Sequence, residues 1–320
     1  MFFKQPALRA FGYSGFIGKT LAKVLPDTPW ATYLLSFRVF KRTYGFRPRL
    51  RSPRTLNEWL FARKVTLPKE ISFAQWVDKQ LVKDSVAAAM KGAAEECRIA
   101  RTLHHTQDAS DAWFDDVLPR CVVKGTHGSG MTILVREPRR LTDEERSELR
   151  RWMAAEYFQG SREPSYRHLK PGIIVEEFLP CDRLVPEDYK FFCFRGRIAF
   201  IQHDTGRFID HRRCLYTKDW LRLPVRLQHE GYDHEAPPPR DLKAMAAIAQ
   251  RLSKDQNFVR VDLYQTESGV YFGEMTFFPG SGLEIFDPPA FDAELCRRWL
   301  QPSSADTAVV DPSLPIGSCA

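Results

Sequence analysis

The chain has 320 residues and a formal net charge of +7, with 43% hydrophobic and 27% charged residues. That length can bury two or more lobes, and no apolar run approaches the ~20 residues of a membrane span. The seven cysteines are scattered, odd in number and include no Cys-x-x-Cys pair, so a disulfide framework and a zinc site are set aside and a reducing, cytoplasmic setting is expected. The start, MFFKQPALRAFGYSGF, lacks the charged leader and long apolar core of a secretory signal.

Residues 1–70 read as a helical, basic N-terminal region. Gly12 to Thr20 imitates a Walker loop, but the required first glycine falls at Tyr13 and no apolar strand precedes it. Thr32 to Tyr44 is amphipathic through Leu34, Leu35, Phe37, Val39 and Phe40, a pattern best read as packing on the main body. Positive charge gathers between Arg38 and Arg63. Such a face attracts nucleic acid, an anionic lipid surface or an acidic substrate, or is simply solvated, and the sequence does not choose. Peripheral membrane contact stays open, and nucleic acid ranks last because the aromatic residues there read as core. In a second segment, 71–120, Asp78 to about Leu103 reads as a helix broken near Gly92, with Asp78 as its capping or first-turn acid.

A third segment, 121–180, opens with CVVKGTHGSGMTILV, Cys121 to Val135. It reads as a strand ending in Lys124, a loop with Gly125, Gly128 and Gly130, and a return strand. Glycines let backbone N–H groups approach anionic oxygens, Lys124 supplies a point charge, and His127 and Ser129 add donors. Leu141 to Phe158 reads as a helix opened by Thr142-Asp143-Glu144-Glu145. Ile173 to Leu179 is a strand whose exit could pair an adenine edge, with Glu176 accepting from the exocyclic amine; taken alone it is a strand end.

In the fourth segment, 181–298, Tyr189–Phe194 and Ile198–His203 form a hairpin around Arg195-Gly196-Arg197. Asp188, Lys190, His203, Asp204 and Arg207 lie along it, with Lys190 and Arg207 as candidates to stabilise a transferring phosphoryl group. Ala236–Pro239 is a proline-rich joint and Leu242–Leu252 a helix. Then comes FVRVDLYQTESGVYFGEMTFFP, Phe258 to Pro279, read as a β-hairpin around a three-residue loop, Glu267-Ser268-Gly269. That register sets Asp262 opposite Glu274 and Arg260 opposite Thr276 on one face. Val259, Val261, Leu263, Tyr271, Met275 and Phe277 form the apolar face. Opposed carboxylates repel, so a cation between them is expected, and hard oxygen donors favour Mg²⁺ or Mn²⁺. Residues 299–320 read as a disordered tail.

Taken in this order, the segments resemble the TupA-like branch of the ATP-grasp superfamily, named for teichuronopeptide biosynthesis. The resemblance rests on Leu56-Asn57-Glu58, Asp78-Lys79, Val122-Val123-Lys124, His127-Gly128-Ser129-Gly130, Val175-Glu176-Glu177, Asp188-Tyr189-Lys190-Phe191, Cys193-Phe194-Arg195-Gly196, Val259 to Tyr264 and Phe272 to Phe277, and spans about 40–295. It implies an α/β (α+β) ATP-grasp fold with two lobes of antiparallel sheet clasping ATP behind a helical N-terminal region. It implies Lys79 and Lys124 on the ATP phosphates under Gly128, Ser129 and Gly130, and Glu176, Glu177 and Leu179 around adenine. Asp182 falls near the ribose, Lys190 and Arg260 on phosphate charge, and Asp262 and Glu274 on Mg²⁺. Many ATP-grasp chains carry Asn two residues after the metal glutamate. Thr276 stands there in this one, as a weaker ligand.

The implied activity is carboxylate activation. ATP phosphorylates a carboxylate, and an amine then displaces phosphate from the acyl phosphate. An acidic sugar or an amino acid would be the acceptor, in cell-surface polysaccharide biosynthesis. A phosphotransferase on the same fold and a non-catalytic nucleotide-binding protein are the alternatives. Phosphoryl transfer needs positioning and charge neutralisation rather than a covalent nucleophile, which fits the lack of a convincing Ser/His/Asp arrangement.

Overall fold

The computed structural model describes residues 25–179, 186–206 and 210–300. Gly12–Thr20, Asp182, Arg207 and the tail from 301 lie outside these residues. Helices α1 (Pro29–Tyr44), α2 (Leu56–Thr66), α3 (Ala74–Val77) and α4 (Leu81–Met90) precede strands β1 (Arg98–Ile99) and β2 (Thr102–Thr106). β3 (Cys121–Gly125), β4 (Thr132–Val135), α5 (Asp143–Met153), α6 (Tyr157–Ser161) and β5 (Ile173–Glu177) follow. β6 (Glu187–Phe194), β7 (Arg197–Thr205), β8 (Arg212–Tyr216) and β9 (Arg226–Leu227) lead to α7 (Leu242–Ser253). β10 (Val259–Thr266), β11 (Gly269–Thr276), β12 (Phe286–Asp287) and α8 (Ala290–Leu295) follow, and a π-helical turn (Cys296–Leu300) ends the described chain.

Among the described residues two larger sheets form. One has four antiparallel strands in the order β2-β5-β3-β4, and the other has six in the order β1-β11-β10-β6-β7-β8. Only β1 and β11 pair in parallel within the six. Each sheet has its own core. Cys121, Val123, Ile133, Val135, Ile173 and Val175 meet Leu149 and Trp152 of α5 behind the smaller sheet. In β3 the alternate residues Val122 and Lys124 are only partly buried, so period-two alternation turns them to the opposite face. Behind the larger sheet, α7 buries Met245, Ile248, Ala249 and Leu252, spaced as one helical face.

Several local expectations change. Residues 93–103, read as helix, instead supply β1 and β2, because α4 ends at Met90 before a turn at Gly92 with φ 73°. Asp78 does cap α4: its Oδ1 accepts from the N–H groups of Gln80 and Leu81 at 2.9 and 3.0 Å. The helix expected over 141–158 stops at Met153, with α6 as a separate turn; its start is a capping box between Thr142 and Glu145. Trp299, assigned to the tail, is buried and stacks on Phe194 at 5.6 Å. Helix α1 packs on α2 through Leu35, Val39 and Phe40, with Phe40 against Phe61 at 5.2 Å, but Leu34, expected on the same face, is 51% exposed because it lies one helical step outside the buried stripe.

The β10–β11 hairpin pairs Asp262 with Glu274 and Arg260 with Thr276, but not by the expected route. Thr266 pairs with Gly269, so the loop is the two residues Glu267 and Ser268, and a bulge beside Leu263 shifts the register by one at Gly273. A Cβ on Gly273 would lie 2.9 Å from the Asp262 carbonyl oxygen, so the bulge needs glycine. One consequence corrects the expected apolar face. Below the bulge Phe272 opposes Leu263 and joins the core, whereas Tyr271 opposes Tyr264 on the other face.

Candidate functional site

The two sheets face each other across a cleft of about 440 Å³. From the smaller sheet and its loops come Lys124, Gly128, Ser129, Gly130, Glu176, Glu177, Phe178 and Leu179; from the larger come Asp188, Asp204, Asp262, Glu274 and Thr276. Lys79 and Lys83 enter from the start of α4. Eleven of the sequence candidates thus meet in one cavity: Lys79, Lys124, Gly128, Ser129, Gly130, Glu176, Glu177, Leu179, Asp262, Glu274 and Thr276.

Lys79 ties the glycine loop down. Its Nζ donates to the carbonyls of Gly125 and Gly128 at 2.9 and 2.6 Å. Burial lowers its pKa, with the neighbouring Glu274 charge opposing and Lys124 reinforcing the fall. Gly128 is required by space: a Cβ there would lie 2.6 Å from Cδ2 of Tyr157, whose ring packs on Tyr166 at 4.6 Å. His127 does not face the cleft. It is 2% exposed; Nδ1 accepts from the Gly172 N–H at 3.3 Å and Nε2–H donates to the Trp152 carbonyl at 3.0 Å. Burial lowers its pKa, so it is a neutral brace behind the loop rather than a phosphate donor.

Glu176 is held between two lysines. Its Oε2 accepts from Lys124 at 2.6 Å and its Oε1 pairs with Lys83 at 2.6 Å. Burial raises its pKa, but the Lys124 and Lys83 charges outweigh burial and keep it below the usual carboxylate range. Each oxygen thus meets one lysine and keeps a further lone pair toward the cleft that Glu176 lines. Lys83 escaped the sequence reading; its position four residues after Lys79, one helical turn along, was the available signal. Glu177 turns to the sheet edge, where Oε1 accepts from the Arg101 N–H at 2.9 Å.

On the opposite wall, charges alternate in sign. Lys190 is 5% exposed and its Nζ bridges Asp188 and Asp262, 2.8 Å from the Asp262 Oδ2. Arg260 grips Asp262 with Nε to Oδ1 and Nη2 to Oδ2, both 2.7 Å. The same Nη2 donates to Glu274 Oε1 at 3.1 Å and to Thr276 Oγ1 at 3.0 Å. A guanidinium therefore stands between the opposed carboxylates, and their repulsion by itself no longer calls for a metal ion. Burial pushes the Asp262 carboxyl up to about 6, with Arg260 and Lys190 opposing. For Arg260 the Asp262 and Glu274 charges outweigh burial and raise the pKa. His203, on the other face of β7, meets the Tyr232 hydroxyl through Nδ1 at 2.8 Å. Beyond β11, Lys64 of α2 donates to Ser281 Oγ at 2.5 Å and sits beside buried Glu163, whose carboxyl burial raises to about 7. The sequence reading missed this cluster, since its members are more than 200 residues apart at the extremes.

Two lobes of antiparallel sheet, with lysines and a glycine loop facing a wall of carboxylates, define the class of two-lobed nucleotide-clasping α/β proteins. The chain belongs to the TupA-like ATP-grasp family, whose model matches residues 58–299. No curated protein matches it. Among solved structures it is similar to the ATP-grasp ligase PsnB complexed with minimal precursor, at 13% identity over 71% of this chain and 62% of that one, TM-score 0.36. D-alanine–D-alanine ligase from Bacillus anthracis complexed with ATP gives 15% over 64% and 54%, TM-score 0.34. The ADP complex of N5-carboxyaminoimidazole ribonucleotide synthetase gives 11% over 79% and 58%, TM-score 0.39. The matched region spans three-fifths or less of the latter two chains and 62% of the first.

Proposed function

We propose that this protein is an ATP-dependent ligase that joins a carboxylate to an amine through an acyl phosphate. A carboxylate oxygen attacks the γ-phosphorus and ADP leaves; the amine nitrogen then attacks the acyl carbon and inorganic phosphate leaves. The observation that carries this reading is the single cleft in which Lys79, Lys124 and the glycine loop oppose Asp262, Glu274 and Thr276, in a chain of the ATP-grasp family. Cations on one wall suit phosphate oxygens, and hard oxygen donors on the other suit Mg²⁺ or Mn²⁺. Glu274 fits a metal best, because its side chain is 49% exposed to the cleft. Asp262 would share its oxygens with Arg260 and Lys190. Bound there, the ion would shield phosphate charge.

Gly128, Ser129 and Gly130 would cover the phosphates, and Phe178 and Leu179 would flank the base. Lys190 and Arg260 would hold the Asp262 carboxylate in place and offer positive charge to the phosphoryl group. In this reading the acceptor is an acidic sugar or an amino acid and the pathway cell-surface polysaccharide biosynthesis; membership of the TupA-like branch supports both. Calorimetric titration with ATP and Mg²⁺ tests the clasp, with metal-dependent binding expected to weaken at least tenfold in Glu274→Gln. Hydroxylamine trapping tests the bond. A trapped hydroxamate supports the ligase, whereas a hydroxylamine-resistant phosphorylated product would make the protein a phosphotransferase.

A further inference from the structure

We propose that the outer face of α1 and the loop that follows it dock on an anionic lipid surface. Trp30, Leu34, Arg38 and Lys41 recur at helical spacing on the side of α1 opposite its buried residues Leu35, Ser36, Val39 and Phe40. Trp30 is 53% and Leu34 51% exposed, and Phe46 just beyond the helix is 39% exposed. Two large apolar side chains at the start of a helical face are costly to leave in water. From Thr28 to Asn57 the sequence contains no Asp or Glu, while seven Lys and Arg fall between Arg38 and Arg54, all exposed. Arg49 pairs with the buried carboxylate of Glu58 at 3.2 Å.

This pairing of features selects the occupant. A bilayer interface accepts Trp at the headgroup level and Leu below it, and anionic headgroups attract the adjoining cations. Neither signal holds a protein firmly alone, whereas together they do. A nucleic acid or an acidic glycan would use the cations but leave Leu34 without a partner. The helix is long enough to lie on a surface and, like every described helix, too short and polar to cross a membrane. The opposite side of α1 is fixed to the fold. α1 packs on α2, Lys64 of α2 reaches Ser281, and the Tyr44 hydroxyl at the end of α1 donates to the Glu284 carbonyl at 3.1 Å.

The test is co-sedimentation of the full chain with vesicles of 70% phosphatidylcholine and 30% phosphatidylglycerol, against phosphatidylcholine alone, at 50 and 500 mM NaCl. Partitioning on the anionic vesicles should exceed that on the neutral ones at least tenfold, roughly what a few surface cations provide, and should fall in high salt. R38E/K41E/R47E should lower it about tenfold, and W30S/L34S several-fold while leaving the salt response. All five positions are exposed, and circular dichroism melts verify that the variants fold. Failure of the unmodified protein to sediment with anionic vesicles at 50 mM NaCl would overturn the proposal. So would vesicle binding unchanged in W30S/L34S together with equally tight binding to a DNA oligonucleotide or polygalacturonate, which would reassign the face to a soluble polyanion.

Discussion

Replacing Glu176 by Gln removes the charge that two lysines share. Lys124 and Lys83 each lie 2.6 Å from one of its oxygens, and their side chains are 25% and 13% exposed. Breaking a fully buried ion pair costs about 3–5 kcal/mol, and an exposed one ~0–1 kcal/mol. The lysines here are mostly but not wholly buried, and the amide keeps one acceptor, so a loss of about 2 kcal/mol is expected at pH 7. The pH dependence has a fixed sign. The carboxyl is held below its ordinary range in the folded state, so its contribution is present above the unfolded carboxylate pKa and lost as pH falls through the folded one. Urea denaturation should therefore separate Glu176→Gln from the unmodified protein at pH 7 and bring the two together under strongly acidic conditions. Adding Lys83→Met to Glu176→Gln should cost less than the sum of the single changes, because one partner is already gone. Variants equal within about 0.5 kcal/mol at pH 7, or strictly additive, would refute the clamp.

Gly128→Ala should destabilise the protein by about 1–3 kcal/mol, since the new methyl meets the Tyr157 ring at 2.6 Å; thermal melts measure this, and weaker ATP binding should accompany it. Asp262→Asn should be more damaging than Glu274→Gln in urea denaturation, by about 3 kcal/mol, because Asp262 is 1% exposed and neutralises both Arg260 and Lys190. Glu163→Gln should alter the pH profile of stability. Burial raises the Glu163 carboxyl to about 7, so the unmodified protein loses stability relative to the variant as pH rises from about 4.5 to 7, and the difference is constant above that; melting temperatures across this range give the result.

Much of the site could be read along the chain. Composition is local, so the sequence alone put Lys124 at the end of an apolar strand leading into the glycine loop. It also set Asp262 and Glu274 on one face of a hairpin, in the register the structure shows. The hairpin arrived there through a two-residue loop and a bulge at Gly273, not a three-residue loop, and Tyr271 and Phe272 exchanged faces in consequence. A loop and a bulge each shift pairing by one residue, and only the neighbouring strand reports which of them did so.

What each site residue touches was decided by tertiary structure. His127 carries the composition of a phosphate loop, yet Trp152 and Gly172, distant in sequence, claim both its nitrogens. Glu176 ends a strand in the pattern of an adenine-binding edge, yet Lys83 from α4 occupies the oxygen that Lys124 leaves. The opposed carboxylates announced a cation, and Arg260 from the same strand fills that place. The physical reason is common to all three. Periodicity fixes the direction in which a side chain leaves the backbone, but a buried polar group must be satisfied by whatever the packed chain brings within hydrogen-bond reach. That second condition belongs to the assembled fold.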